Sequence, residues 1–306
     1  MFTFGSDPEV FLSLGGKIAN AVHILPGKEN MIREGGTAVY HDNALAEMQV
    51  EPGSNSAAVV ANIRKAFVLL SSAAPRHRIE VDSSHWFSMT DLNDEESRTA
   101  GCNSEYCAYT LEQVFPPHDV IRNTGFRTAG GHIHLGGHKL LSDASSILHV
   151  VRMLDLFVGI PSVFLDKDPH QLFRRKIYGQ AGSHRLPDHG LEYRCLGNFW
   201  LKSPLLVELV FDLAEFTLDF VDAGGHKNFW LSEESFDGDG DQSELCFGYD
   251  ARLLRSAINT CDRSKAENFM HIVDCNLPKD LASRINLFKD SRHDFYDEWG
   301  ISCSDS

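Results

Sequence analysis

The sequence predicts an α+β fold with antiparallel strands, and three observations lead there. Period-two alternation of apolar and polar residues dominates the first fifty positions, a stripe of apolar residues at helical spacing follows, and strands and helices then mix through the rest of the chain. No internal repeat, low-complexity tract or obvious linker divides it. The expectation is therefore a single domain over residues 1–306, with its strand motifs in 5–200 and a mostly helical part in 203–306.

The elements follow in order. Alternation over 8–14, a Gly15-Gly16 turn, and returning segments 17–23, 37–40 and 44–51 read as strands. Ser54 or Asn55 then caps a helix to about Ser72, with Val59, Val60, Ile63, Phe67 and Leu70 as its buried stripe and Pro75 beyond its end. Residues 82–120 mix polar residues, glycine and proline, which predicts loops and short strands with little functional content. A strand over 132–135, a helix over 143–157, a short helix around 169–178 and a strand over 191–196 come next. Ser203-Pro204 opens a long helix, proline taking the first helical position, and Gly224-Gly225 closes it. The acidic stretch 236–242 lacks the glutamate that a calcium-binding helix–loop–helix needs and reads as a loop; the tail from Tyr249 reads as helical.

Composition removes several function classes. The 28 Lys and Arg against 43 Asp and Glu give a net charge of −15, which repels a phosphate backbone, and the longest basic cluster is Arg174-Arg175-Lys176, so bulk nucleic-acid binding is not expected. The 7 cysteines include no C-x-x-C pair, arguing against a disulfide framework or a zinc ribbon. The start Phe2-Thr3-Phe4-Gly5 has no signal-peptide character, and the apolar stretch 205–221 is interrupted by Glu208, Asp212, Glu215 and Asp219. A cytoplasmic protein with no membrane span is expected.

Four strands carry polar pairs at i and i+2, which point to one side of a sheet. These are Asp7 and Glu9; Asn43, Glu47, Gln49 and Glu51; His132 and His134, flanked by glycines that let another backbone or a ligand come close; and Glu192 with Arg194. A merely wetted sheet face favours Thr, Lys, Ser and Gln, whereas this one gathers Asp, Glu, His and Arg, whose mutual charge calls for a metal or a charged ligand. Carboxylates with one or two imidazoles suit Mg2+ or Mn2+. Arg127, Arg174, Arg175, Arg185 and Arg194 stand near these strands and suit phosphoryl or carboxylate oxygens. Together they point to ATP chemistry without a P-loop, since no G-x-x-x-x-G-K-[ST], dinucleotide fingerprint or G-x-S-x-G elbow is present.

In this order the motifs Gly5-Ser6-Asp7-Pro8-Glu9-Val10-Phe11, Asp42-Asn43 with Glu47-Met48-Gln49-Val50-Glu51, Gly130-Gly131-His132-Ile133-His134-Leu135-Gly136, and Arg185 with Leu191-Glu192-Tyr193-Arg194 resemble the glutamine-synthetase-like carboxylate–amine ligases. They are most similar to the phage amidoligases of the COOH-NH2 ligase type 2 family. The resemblance implies a curved antiparallel sheet of the glutamine-synthetase catalytic type with helices on its outer face. It implies metal ligation by Asp7, Glu9, Glu51, His132 and Glu192, nucleotide phosphate at His134, and phosphate or transition-state contacts at Arg185 and Arg194. Asp7 replaces the commoner glutamate, and Asn43 stands where another metal-site glutamate is usual, so Glu47 or Asp42 is expected to substitute. The small N-terminal domain of the synthetase has no counterpart ahead of Asp7.

By resemblance, a substrate carboxylate attacks the γ-phosphate of ATP and an amine captures the acyl phosphate as an amide, with Glu47 as a candidate base. The partners implied are a small-molecule or peptide carboxylate and an amine donor, in the host cytoplasm if the chain is phage-encoded. The rival readings are a metal-dependent hydrolase, a guanidino-type phosphotransferase, and a non-catalytic phage protein that keeps the fold.

Overall fold

The computed structural model describes residues 2–99, 104–115, 117–229 and 250–302; the acidic stretch 236–242 lies outside them. The strands are β1 (Thr3–Gly5), β2 (Glu9–Leu14), β3 (Lys17–Ala19), β4 (Ile32–Glu34), β5 (Thr37–Asp42), β6 (Leu45–Gln49), β7 (Arg78–Glu80), β8 (Ser84–Trp86), β9 (Glu105–Cys107), β10 (Gln113–Val114), β11 (Phe126–Thr128), β12 (Ile133–Gly136), β13 (Ser183–Arg185) and β14 (Gly190–Tyr193). The α-helices are α1 (Ser56–Ala73), α2 (His118–Asn123), α3 (Ala144–Leu154), α4 (Ile160–Leu165), α5 (Gln171–Ile177), α6 (Pro204–Asp222), α7 (Ala251–Asn259), α8 (Arg263–Asn276), α9 (Lys279–Lys289) and α10 (Phe295–Trp299). The fold is α+β, its strand ladders antiparallel, with one sheet curled strongly into a half-barrel.

One sheet runs β1-β12-β14-β13-β9-β10; a second runs β3-β2-β6-β5-β4, with β7 added on β2; β11 and β8 form a separate ladder. The chain passes from the first sheet to the second between Gly5 and Glu9, so Ser6-Asp7-Pro8 is a seam. The seam keeps its backbone satisfied: the Met48 and Val50 N–H groups donate to the Pro8 and Ser6 carbonyls, and the Ser6 hydroxyl donates to the His132 carbonyl at 2.6 Å.

Alternation places the core. Phe4, Val10, Leu12, Val39, Ala46, Met48, Ile133, Leu135, Leu191 and Tyr193 are buried on the apolar side of the strands. Against this side lies α1, capped by the Asn55 side chain, which accepts from the Ala58 N–H at 2.9 Å. Its Val59, Ile63, Phe67 and Leu70 are buried, joined by Ala66 in place of the half-buried Val60. Phe67 meets Phe295 and Trp299 edge-on, with ring centroids 4.8 and 5.1 Å apart. Helix α6 opens as expected on the Ser203 cap with Pro204, and Gly224 beyond its end takes φ +80°.

Three boundaries differ from expectation. The strand begun at Lys17 stops at Ala19, because the Asn20 side chain accepts from the Val22 N–H and starts a 3-10 turn. Asn43 sits in the β5–β6 turn with φ +53°, so the alternation read through it breaks there. The helix from Ala144 continues past Phe157, through a π turn at Asp155–Gly159 and into α4. That run, Ala144–Leu165, and α1 are long and apolar enough to cross a membrane by length and composition, but most of the first is buried inside the fold. It is the apolar run to weigh, more than 205–221.

Candidate functional site

The polar side of the strands carries two adjoining clusters. In the first, antiparallel register sets Glu9 of β2 opposite Glu47 of β6, and Glu47 opposite Tyr40 of β5. Asp42, two residues beyond Tyr40, points to the same side. One carboxylate oxygen from each of Glu9, Asp42 and Glu47 lies within 4.8 Å of the others. No ion pair reaches any of the three among the described residues.

Their electrostatics carry the same message. Burial, then the charges of Asp42 and Glu47, push Glu9 well above the usual carboxylate range, although the Gly130 N–H donates to it at 2.7 Å. Glu47 is pushed up to about 8 by burial and the Asp7 charge. Asp42 is also raised by burial, with the Lys28 ammonium pulling the other way. Three crowded carboxylates without a bound cation keep protons they would otherwise lose. Their hard oxygen donors fit Mg2+ or Mn2+, and the fit rests on this uncompensated charge.

The second cluster is compensated. Arg185 of β13 lies opposite Glu192 of β14 and donates to both its oxygens at 2.8 Å. Arg194 also bonds Glu192, donates through Nε to Glu105 of β9 at 2.7 Å, and donates to the Tyr178 hydroxyl at 2.6 Å. His132 Nδ1 is 3.1 Å from Glu192, and its Nε2 shares a 2.5 Å hydrogen bond with the Tyr178 hydroxyl. Burial raises Glu192, yet the His132 bond and charge and the Arg194 charge overcome it and hold the carboxyl far below its usual range.

Asp7 bridges the two clusters from the seam. Its Oδ1 is 3.1 Å from His134 Nε2 and 3.9 Å from His132 Nδ1, while its charge helps raise Glu47. Burial opposes protonation of His134, but the Asp7 contact outweighs it and raises the imidazole. His134 stacks on His189 with centroids 5.0 Å apart. Asp7, Glu47, Gln49, Tyr40, His134, His189 and Lys28 line one cleft of about 440 Å3, within the range of small-molecule sites.

Residues 121–229 match the family model described as phage phiEco32-like COOH-NH2 ligase type 2. The match covers this segment of the 306-residue chain and no more. This region contains β12, α5, β13, β14 and most of the second cluster, whereas the acidic strands β2, β5 and β6 precede it. The family's printed name describes ligases that join a carboxyl to an amino group. A comparison with curated proteins gives no match.

Within and around the matched residues, the expected site residues divide. Glu9 and Glu47 come together with Asp42, the substitute foreseen for Asn43. Asn43 is a turn residue whose amide donates to Asp42 at 2.9 Å. Glu51 does not join them, because β6 ends at Gln49 and the exposed Glu51 side chain packs beside Gly36. The Glu192 oxygens bond Arg185 and Arg194, and the ring nitrogens of His132 lie against Glu192 and Tyr178, so these two expected ligands stand in the compensated cluster, apart from the triad.

Three arginines are also corrected. Arg127 spends its guanidinium on the backbone carbonyls of Ser97, Ile121, Thr124 and Phe126. Arg174 donates to the Leu196 carbonyl at 2.7 Å and Arg175 to the carbonyls of Gly179 and Cys195. All three are buried. The glycines at 130–131 admit other protein: a Cβ on Gly131 would collide with the Gly197 carbonyl. Sequence reasoning missed Glu105, inside a stretch read as functionally empty, together with Tyr178, Lys28 and His189. No spacing signal marks any of these, since each comes from a different loop or short strand.

Proposed function

We propose that the protein is an ATP-dependent carboxylate–amine ligase whose divalent cation is held by Glu9, Asp42 and Glu47. The observation that carries this reading is the uncompensated carboxylate triad, whose Glu47 lines the cleft, in a chain whose residues 121–229 match the COOH-NH2 ligase type 2 family model. A glutamine-synthetase-type catalytic fold accords with a curled antiparallel sheet whose apolar side is covered by helices. A single domain accords with one core cluster that runs from Phe4 to Ile301.

In the reaction, a substrate carboxylate oxygen bonds the γ-phosphorus of ATP as the bond to ADP breaks; the amine nitrogen then bonds the acyl carbon, phosphate leaves, and the amine gives up a proton. A cation on the triad supplies neutralisation of the charge spreading over the phosphoryl oxygens. His134, whose imidazole the Asp7 contact raises, lines the cleft and is placed to donate to phosphate oxygens there. Glu192 fixes Arg185 and Arg194 in place, and Glu105 and Tyr178 fix Arg194 further, so these groups need no reorganisation as charge develops. Glu47 is assigned to the cation, which displaces the base role expected for it.

The test is a thermal-shift and product assay. Millimolar Mg-ATP raises the melting temperature more than Mg2+ or ATP with EDTA, and Glu9→Gln loses that increment. A screen of carboxylate–amine pairs releases ADP and phosphate only with a matching pair. Melting unchanged by Mg-ATP, together with no ADP from any pair, sinks the reading.

A further inference from the structure

None of Arg127, Arg174, Arg175, Arg185 and Arg194 lines the cleft. Among the described residues lining it, Lys28 is the only lysine or arginine. It opens the 3-10 turn Lys28–Asn30, and this turn is pinned beside β5 at its base: Gly27 bridges to His41, whose N–H donates to the Pro26 carbonyl at 2.9 Å. The side chain leans over the Tyr40 ring, with Nζ 5.6 Å from the centroid. No hydrogen bond or ion pair within 4.0 Å joins its ammonium to another described residue. The exposed lysine therefore keeps its donors free while the bridge to β5 fixes the base of its tether.

The charge around it shows what it is placed for. Lys28 is near enough to Asp42 and Glu47 to bias both, yet it bonds neither. A divalent cation on the triad would cancel the charge of Glu47, which lines the cleft together with Lys28, and the lysine would then be left to receive an anion. We propose that Lys28 is the oxyanion anchor of this cleft, a binding residue that grips a phosphate or carboxylate of the substrates. The inference rests on the ligase reading for the identity of those substrates, and on the cleft geometry alone for the anion.

The experiment measures binding by calorimetry to the whole protein with Mg2+ present, using four probes: ATP, tripolyphosphate, glutarate and adenosine. The variants are Lys28→Met, Lys28→Arg, and Lys17→Met, which removes the same charge from an exposed lysine paired with Asp91 at 2.8 Å. Loss of one charge-assisted contact weakens binding about tenfold to a hundredfold. The expected result is such a loss in Lys28→Met for at least one oxyanion, recovery in Lys28→Arg, and no change for adenosine or in Lys17→Met.

A loss confined to ATP and tripolyphosphate assigns Lys28 to the nucleotide phosphates; a loss confined to glutarate assigns it to the acid substrate. Wild-type protein that binds glutarate through Lys28 but neither ATP nor tripolyphosphate supports the anchor while removing the ligase reading. Lys28→Met that binds every oxyanion as tightly as wild type overturns the anchor and leaves the ligase reading standing. Wild-type protein that binds none of the oxyanions overturns both.

Discussion

Glu47→Gln isolates the charge stored in the triad. The substitution keeps the side-chain volume and removes the charge from a carboxyl that the fold pushes from its ordinary 4.5 up to about 8. Below about pH 4.5 the folded and unfolded chains both hold this proton. Between there and pH 8 only the folded chain keeps it, so stability falls by about 1.4 kcal/mol per pH unit. From about pH 5 to about pH 7.5, the metal-free wild type therefore loses about 3 kcal/mol through this group, and Glu47→Gln does not. Urea denaturation in EDTA at several pH values measures the difference in slope. Millimolar Mg2+, which binds the ionised carboxylates, restores wild-type stability at the upper end of the range and restores the variant less. Parallel pH curves for the two proteins in EDTA, or equal rescue by Mg2+, refute the triad as a site of uncompensated charge.

Two further substitutions probe the surroundings. Glu192→Gln leaves Arg185 and Arg194 without their shared carboxylate; breaking a buried pair in this way costs about 3–5 kcal/mol, read as a fall in the urea midpoint at neutral pH. Because the folded protein depresses this carboxyl, the stability it contributes is present above the ordinary carboxylate pKa and lost as the solution is acidified, so the wild-type and variant midpoints converge toward low pH. Midpoints that stay equally far apart at every pH contradict that account. Phe67→Ala empties the contact of α1 with Phe295 and Trp299 and costs about 3–5 kcal/mol, with the Mg2+ increment preserved because α1 covers the apolar side of the sheet. Loss of the Mg2+ increment in this variant contradicts the division into a core side and a site side.

Much of the fold was legible because local rules set it. The Asn55 and Ser203 caps, the Pro204 start, the Gly224 stop and the apolar stripe of α1 each depend on a few neighbouring residues, and each stands where the sequence places it. The misreadings share a cause: Asn20 and Asn43 offer the backbone a local turn that alternation counting does not register. In the site, period two put Glu9 and Glu47 on one side of their strands, and Glu192 and Arg194 likewise. It did not say which strands are neighbours, and that decides what each charge meets.

Alone, then, the sequence determined that acids, imidazoles and arginines collect on one side of an antiparallel sheet, because side-chain direction along a strand is a property of the strand itself. Only the tertiary structure decided which of them are satisfied. Pairing β13 with β14 spends Arg185 on Glu192, and strand β9 on the other side of β13 brings Glu105 to Arg194 from a stretch that looked empty. The β2–β6–β5 register leaves Glu9, Asp42 and Glu47 facing one another with no counter-charge bound among the described residues. Charge compensation is a property of distances between strands far apart in sequence, so it is absent from any single stretch of residues.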